Sequence, residues 1–475
     1  MSFHRLFLLA LAVLVSAQVM AQTYTLDSCV AMALRSNKEI QAAHHQTAKY
    51  HYTNKALYAN YLPKVSLYAA DIFSTIHASS TVDVSGAVGR FTGDQLNQAM
   101  PYFVTESVKQ RISNQVAARL SSLDPDIDFH SRNMLTASIM VEQPIYMGGK
   151  ITAGSRMGAI GEKMSMLGEQ MSREEIIVAV YEGYQLFMKA KEMRVVALMY
   201  DSLLVQLTHD VNSAIKHGMA SHNDEMKVMV KKNDAELKVR QAENGVRLAR
   251  MNLCQLIGLP LDSQIDVIDD NTALETVDLK NVALENRTEY MLLELKTQLA
   301  EQKVKLQVAD YRPQIGMMMQ VGVMDGLELM GEKMFAHQPY FNIGAVVKMP
   351  IYHGGEGVNK IRAARAELEQ ERMNQENLNE KMNLEVQQMA NYVDEAILEL
   401  SMRQRNVEQC EENLRISRKA YSVGMESLSE LLTAQLLWQQ AYAEQVESKV
   451  QVKIKMMKWR KAAGKIYQSS LFVAQ

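Results

Sequence analysis

Two acidic residues stand at matching places in this chain: Asp224 lies six residues past Gly218, and Glu430 six past Gly424. Carboxylates gathered at one level of a ring would repel one another, resist closure of an opening and concentrate cations. A lone acid on a helix is equally an ordinary solvated side chain. His44, His45 and His51, together with 33 methionines, raise the question of soft-metal binding. Adjacent histidines on a helix point about 100° apart, and Met is a flexible core filler, so no metal site is expected. Cys29, Cys254 and Cys410 are too scattered for a disulfide framework, although a Cys29–Cys254 bridge stays open. The sequence offers no Ser/His/Asp or Cys/His constellation, phosphate loop or CxxC pair, so it gives no candidate for enzymatic chemistry and no cofactor is expected. A net charge of −3 gives no reason to expect nucleic-acid binding.

The elements that must position these residues come from a duplication. Gln143-Pro144-Ile145-Tyr146-Met147-Gly148-Gly149 returns as Met349-Pro350-Ile351-Tyr352-His353-Gly354-Gly355, an offset of 206 that also relates Gly218 to Gly424 and Gly258 to Gly464. Upstream the offset is 250, relating Ala33-Leu34 to Ala283-Leu284 and Pro63 to Pro313. A repeat this long bounds the fold before any single residue is read.

Within each copy two periodicities alternate. Met389, Val393, Ala396, Leu400, Arg403, Val407, Cys410 and Leu414 step by four and three, the spacing of a coiled-coil seam. The first copy shows Ile177, Val180, Tyr184 and Phe187, then Val195, Leu198, Ser202 and Val205. No proline falls in 150–216 or 356–422, so each reads as one helix of 67 residues, roughly 100 Å long, that needs equally long neighbours. Ala33–Leu62, ending at Pro63, and Ser221–Ile257, ending at Gly258-Leu259-Pro260, together have that same length. Two short helices stacked end to end would line one long one.

Four segments instead alternate with period two: 64–73, 134–143, 314–323 and 340–349. Leu135, Ala137, Ile139 and Val141 oppose Thr136, Ser138, Met140 and Glu142; Ile315, Met317, Met319, Val321 and Val323 oppose Gln314, Gly316, Met318, Gln320 and Gly322. One apolar and one polar face is what a membrane β-barrel strand needs, and also what a sandwich strand shows. Four strands cannot close a barrel, and open edges are not tolerated in hydrocarbon, so other copies of the chain would have to complete it. Gly148-Gly149 and Gly354-Gly355 mark the strand-to-helix crossings, where positive φ or close backbone approach is expected.

With these elements in place, the chain resembles the TolC-type outer-membrane factor family. Leu26…Ala31…Ala33-Leu34…Asn37…Glu39-Ile40 is similar to that family's opening, with Lys38 where a proline is frequent. Tyr421-Ser422-Val423-Gly424-Met425-Glu426-Ser427-Leu428-Ser429-Glu430-Leu431-Leu432 resembles its second periplasmic turn, and His217-Gly218-Met219-Ala220-Ser221-His222-Asn223-Asp224 its first. The resemblance covers essentially the whole mature chain. It implies an α+β membrane protein: a homotrimer with a 12-stranded transmembrane β-barrel, four strands from each chain, and a long antiparallel α-helical barrel. It further implies an exit duct fed by an inner-membrane pump of the RND or ABC type through a periplasmic adaptor, for efflux or type I secretion. Outer-membrane lipid is then a further partner. The alternative is a periplasmic coiled-coil envelope scaffold without a pore.

The expected organisation follows. Residues 1–21 read as a secretory signal and 22–258 as the first repeat: strand 64–73, extracellular loop 74–133 with an amphipathic stretch at Tyr102–Leu120, strand 134–143, long helix 150–216, tip 217–220 and return helix 221–257. An equatorial linker spans 259–282. The second repeat, 283–464, holds helix 283–312, strands 314–323 and 340–349, long helix 356–422, tip 423–426 and return helix 427–463; residues 465–475 form an equatorial tail. The tips His217, Gly218, Met219, Val423, Gly424 and Met425 are the expected adaptor contacts, and Asp224 and Glu430 the expected pore-constriction acids. The family often has a basic residue two past the second tip glycine that latches onto an acid of the first turn. Here Glu426 stands there, so that latch lacks its cation.

Overall fold

A computed structural model of the protein describes residues 22–81, 126–268, 279, 282, 284–326, 328–329, 332–333 and 337–466. The expected signal at 1–21, the helical stretch at Tyr102–Leu120, most of the linker after Ile268 and the tail beyond Ile466 lie outside them. The chain divides into two compact units, one of Met1–Tyr52, Ala159–Ala300 and Leu368–Gln475, the other of Thr53–Gly158 and Glu301–Glu367. Each draws on both repeats.

The first unit is helical. Helix α1 (Leu26–Ser36) opens on Thr25, whose hydroxyl accepts from Ser28 N, and α2 (Lys38–Tyr58) follows immediately. The sequence pattern suggested one helix over 33–62, but the chain breaks at Asn37, which is extended at ψ 130°. Its side chain explains the break. The buried Asn37 amide oxygen accepts from Glu39 N at 2.8 Å, and its Nδ2 donates to Leu256 O at 3.1 Å. Asn37 therefore starts a new helix while docking the end of α4 (His222–Ile257).

Helix α3 (Lys150–Lys216) is the long element of the first repeat. Helix α2 lines its beginning, where Thr47 reaches Ser165 and His51 reaches Glu162; α4 lines a later stretch, where Leu256 packs at Gly183. Ile177, Val180, Tyr184 and Phe187 are buried against α1 and α4. A two-strand parallel pair, β1 (Gln22–Tyr24) with β4 (Ile265–Val267), packs there, and the Tyr184 hydroxyl donates to Ile268 O at 2.5 Å.

Farther along α3 the seam differs from the sequence expectation. Val196, Tyr200, Leu204, Leu207 and Val211 are buried, whereas Val195, Leu198, Ser202 and Val205 are exposed. The helix carries two apolar stripes there, and only one is buried among the described residues. In the second repeat α6 (Glu356–Ser422) does bury Val393, Ala396, Val407 and Leu414. It packs with α7 (Leu428–Ala462), whose Trp459 lies against Val393 and whose Trp438 joins Tyr200, Leu204 and Leu431 in a shared core.

The second unit holds an antiparallel sheet in the order β2 (Lys64–Thr81), β3 (Asp126–Met147), β5 (Gln314–Asp325), β8 (Gln338–Lys348), with a small hairpin β6 (Glu328–Leu329) and β7 (Glu332–Lys333) beside β3. Helix α5 (Thr288–Ala309) leads into it and is shorter than the 283–312 expected, being preceded by a 3-10 turn at Leu284–Asn286. β2 and β3 also run far past 64–73 and 134–143. Their pairing continues through an irregularity between Phe73 and Ile76 to Thr81 opposite Asp126. Apolar alternation marks only part of each strand, because backbone pairing carries on into the polar part. Among the described residues no helix is long and apolar enough to cross a membrane.

Candidate functional site

The sheet is apolar on its exposed side. Register aligns Leu67, Ile139, Val321 and Phe341 across all four strands, with Val65, Val141, Met319 and Ile343 one rung away. Leu67 is 76% exposed and Phe341 60%. On the opposite side the centre is buried: Thr136, Ser138 and Gln320 are each 3% exposed, beside Met140 and Met324. Gln320 Nε2 donates to Ser138 Oγ at 2.9 Å and to Tyr340 OH at 3.2 Å. Gly322 makes room for this arrangement, since a Cβ there would lie 2.9 Å from Tyr340 Cζ and 2.5 Å from Ala137 O.

In water this polarity is inverted. Leaving one large apolar side chain exposed forgoes about 1.5–3 kcal/mol, and here whole rungs are left so. Contiguous apolar surface of this kind marks a lipid or protein contact. Both outer strands, β2 and β8, pair on one side only among the described residues, so each presents a row of backbone donors and acceptors.

The two helix reversals are built alike. Gly218 and Gly424 both take φ 72°. In the first, Gly218 N donates to Ile215 O and Met219 N to Ala214 O; in the second, Gly424 N donates to Tyr421 O and Met425 N to Ala420 O. This is the left-handed cap that satisfies the last carbonyls of α3 and α6. Gly258 and Gly464 repeat the geometry at the ends of α4 and α7. His217, Gly218, Met219, Val423, Gly424 and Met425 are all exposed, Met425 to 85%.

Asp224 and Glu430 are where the sequence and the structure tell different stories about one spacing. Each is the third residue of a return helix and closes a capping box: Ser221 N and Ser427 N donate to the carboxylates, whose own backbone N–H groups bond the serine hydroxyls. A glycine cap, a short turn and a capping box fix the six-residue interval locally, without reference to a pore. The bonds from Ser221, then Lys227, hold Asp224 below the usual carboxylate range; those from Ser427 do so for Glu430. Both acids stay ionised. Glu426 turns to its own long helix and accepts from Ser417 Oγ at 2.8 Å.

His44 and His51 lie beside acids of α3. His51 Nδ1 is 2.7 Å from Glu162 and His44 Nδ1 3.6 Å from Glu169. No cluster of three His, Cys, Asp or Glu that could hold a metal occurs among the described residues. Cys29, Cys254 and Cys410 are free thiols, and burial pushes Cys29 up to about 12.

Sequence reading missed a ladder of ion pairs joining α3 to α7. Glu182 meets Lys458 at 2.9 Å and Glu192 meets Lys449 at 3.1 Å, while Lys189 pairs with Glu447 in the opposite sense. Only the antiparallel alignment of two helices far apart in sequence brings these together.

Residues 279–465 match the family model of outer membrane efflux proteins. The matched stretch is the second repeat, which is similar to that family. No curated protein matches the chain. Among solved structures, the outer membrane protein VceC from Vibrio cholerae is similar at TM-score 0.72 and 12% identity, over 92% of this chain and 96% of that one. The CmeC outer membrane channel of Campylobacter jejuni aligns at TM-score 0.71 and 15% identity, over 93% of this chain and 86% of that one. The open-state MtrE outer membrane channel of Neisseria gonorrhoeae aligns at TM-score 0.67 and 14% identity, over 93% and 89%. At these identities the likeness is one of fold. The stretch matched by the family model runs from just before α5 to the end of α7.

Proposed function

We propose that three copies of this chain form an exit duct in the bacterial outer membrane, passing molecules delivered by an inner-membrane pump through a periplasmic adaptor. One observation carries the reading: a sheet with one exposed apolar face, with Thr136, Ser138 and Gln320 on the other, and with outer strands that pair on one side only among the described residues. Hydrocarbon outside and water inside reverse the usual placement of side chains in the way this sheet shows. Since lipid does not tolerate open edges, β8 of one copy meets β2 of the next, and three sheets make twelve strands.

The unused stripe Val195, Leu198, Ser202 and Val205 on α3 suits the same assembly, as a seam toward a neighbouring copy. At the tips His217, Gly218, Met219, Val423, Gly424 and Met425 offer an apolar, exposed surface for the adaptor. Asp224 and Glu430, kept charged by their caps, are the acids we place at the tunnel mouth. The duct does no chemistry; the pump supplies the energy.

Membrane fractionation, gel mobility with and without heating, and planar-bilayer conductance test the proposal. A heat-sensitive oligomer in the outer-membrane fraction with discrete conductance steps is expected. A soluble single chain in the periplasm would instead point to the envelope scaffold.

A further inference from the structure

We infer that the second strand-to-helix corner, residues 352–356, is a plug that seats on the end of α2 in a neighbouring copy of this chain. The inference rests on the three-copy reading of the duct and names the residues that meet. The duplication builds plug and socket twice. Gly148 and Gly149 turn at φ 64° and 95°, Gly354 and Gly355 at φ 58° and 83°. The two helix ends match as well: Leu62 N donates to Ala59 O at 3.0 Å, and Arg312 N to Ala309 O at 3.2 Å. Each end also lies over the start of its own long helix. Tyr61 OH donates to Thr152 Oγ1 at 3.1 Å, and the Tyr311 ring covers Gly357, where a Cβ would come within 2.4 Å of it.

One plug and socket are joined inside the chain. Gly148 is buried against the end of α5, where a Cβ would lie 2.5 Å from Ala309 O and 2.8 Å from Arg312 Cβ. Glycine alone allows so close an approach to a backbone carbonyl. Ala309 is 1% exposed, and Lys150 Nζ reaches Asp310 Oδ1 at 2.6 Å. The other plug and socket stand open. Residues 351–356 are all exposed, and a Cβ on Gly354 would meet nothing within 4 Å among the described residues. Ala59, the counterpart of Ala309, is exposed, and so is Leu62, the counterpart of Arg312. These surfaces flank opposite edges of the sheet, beside β8 and β2, and do not meet within one chain.

A second copy answers both. Gly354 rests on the neighbour's α2 end as Gly148 rests on α5. Glu356, which meets Lys360 of its own helix, stands where Lys150 does, and Asn60 stands where Asp310 does. The Asn60 amide donates to the Glu356 carboxylate, so an ion pair inside the chain becomes a hydrogen bond between chains. Plug and socket are different surfaces, which makes the contact head-to-tail, the kind that builds rings. It also fixes a strand register. Within the chain Gln143 lies opposite Met317 and Val141 opposite Met319. The same offsets set Met349 opposite Leu67, and Val347 opposite Ala69, across the bare edges of β8 and β2.

The full-length protein in outer-membrane vesicles tests the contact, read by the temperature at which its oligomer dissociates on gels. Asn60→Asp sets a second carboxylate beside Glu356 and should lower that temperature. Adding Glu356→Lys rebuilds the Lys150–Asp310 pair between chains and should restore it, a rescue that no contact within one chain supplies. In a Cys410→Ser background, Ala69→Cys with Val347→Cys should cross-link on oxidation into dimers and trimers. Ala69→Cys with Ala345→Cys, a slipped register, should not. A single chain in every case, the unaltered protein included, would overturn duct and plug together. An oligomer in which the slipped pair cross-links instead, or in which Glu356→Lys restores nothing, would overturn the plug alone and leave the duct standing.

Discussion

Val321→Arg separates a lipid-facing sheet from a water-facing one. Val321 lies in the middle rung of the exposed face, between Ile139 and Phe341. In water, an Arg at a half-exposed strand position changes stability by about 0.5 kcal/mol or less. At the centre of a bilayer the same substitution costs about 2–4 kcal/mol for each chain. Three chains share one barrel in the proposed assembly, so the whole oligomer would lose about 6–12 kcal/mol. Phe73→Arg, on the same face of β2 but past Asp71, should cost about 0–1 kcal/mol, as interfacial sites do. Urea titration of protein folded into vesicles, followed by gel mobility without heating, measures both. Equal and small costs at the two positions would refute the lipid assignment of the band.

Four further outcomes follow from the helical unit. Ser427→Ala removes the hydroxyl from one capping box and should cost about 1 kcal/mol, seen as faster amide exchange in the first turn of α7. Because Asp224 and Glu430 are held below their ordinary values, their stabilisation of the tips is full above the usual carboxylate range and is lost as pH falls through the depressed values. Tip amides should thus loosen in acid before the core does; exchange rates flat with pH would contradict this. Asp224→Asn with Glu430→Gln keeps an acceptor for each serine but removes the charge, so cation selectivity in planar bilayers should fall and the tip amides should loosen as they do in acid. An unchanged reversal potential would leave both acids as caps only. Lys189→Glu alone should weaken the α3–α7 alignment, and adding Glu447→Lys should restore it, with a coupling of about 0.2–1 kcal/mol in thermal unfolding for so exposed a pair.

Most of the architecture could be read from two periodicities and a few punctuating residues. Long proline-free stretches that follow Gly-Gly pairs and end at single glycines define α3 and α6, because Gly218 and Gly424 terminate them in the left-handed conformation. Period-two alternation located the part of each strand that needs an apolar face. It could not locate the rest of β2 and β3, where pairing continues without such a face. Nor could it show the break at Asn37, which depends on a carbonyl of Leu256 far away in sequence. The equal placement of Asp224 and Glu430 was visible, but not its cause, since Ser221 and Ser427 act only once the turn has formed. Which of two stripes on α3 faces inward depended on neighbours that one helix cannot reveal.

The bare rims of β2 and β8 also bear on how such a protein is made. For the proposed trimer, a solitary molecule placed in a bilayer would carry two rows of unanswered amides, so insertion and association would become a single event instead of successive ones. Production in the cell would then depend steeply on local concentration. If three chains form one ring as proposed, a variant altered at either rim would poison sound partners, with intact rings falling as the cube of the unaltered fraction.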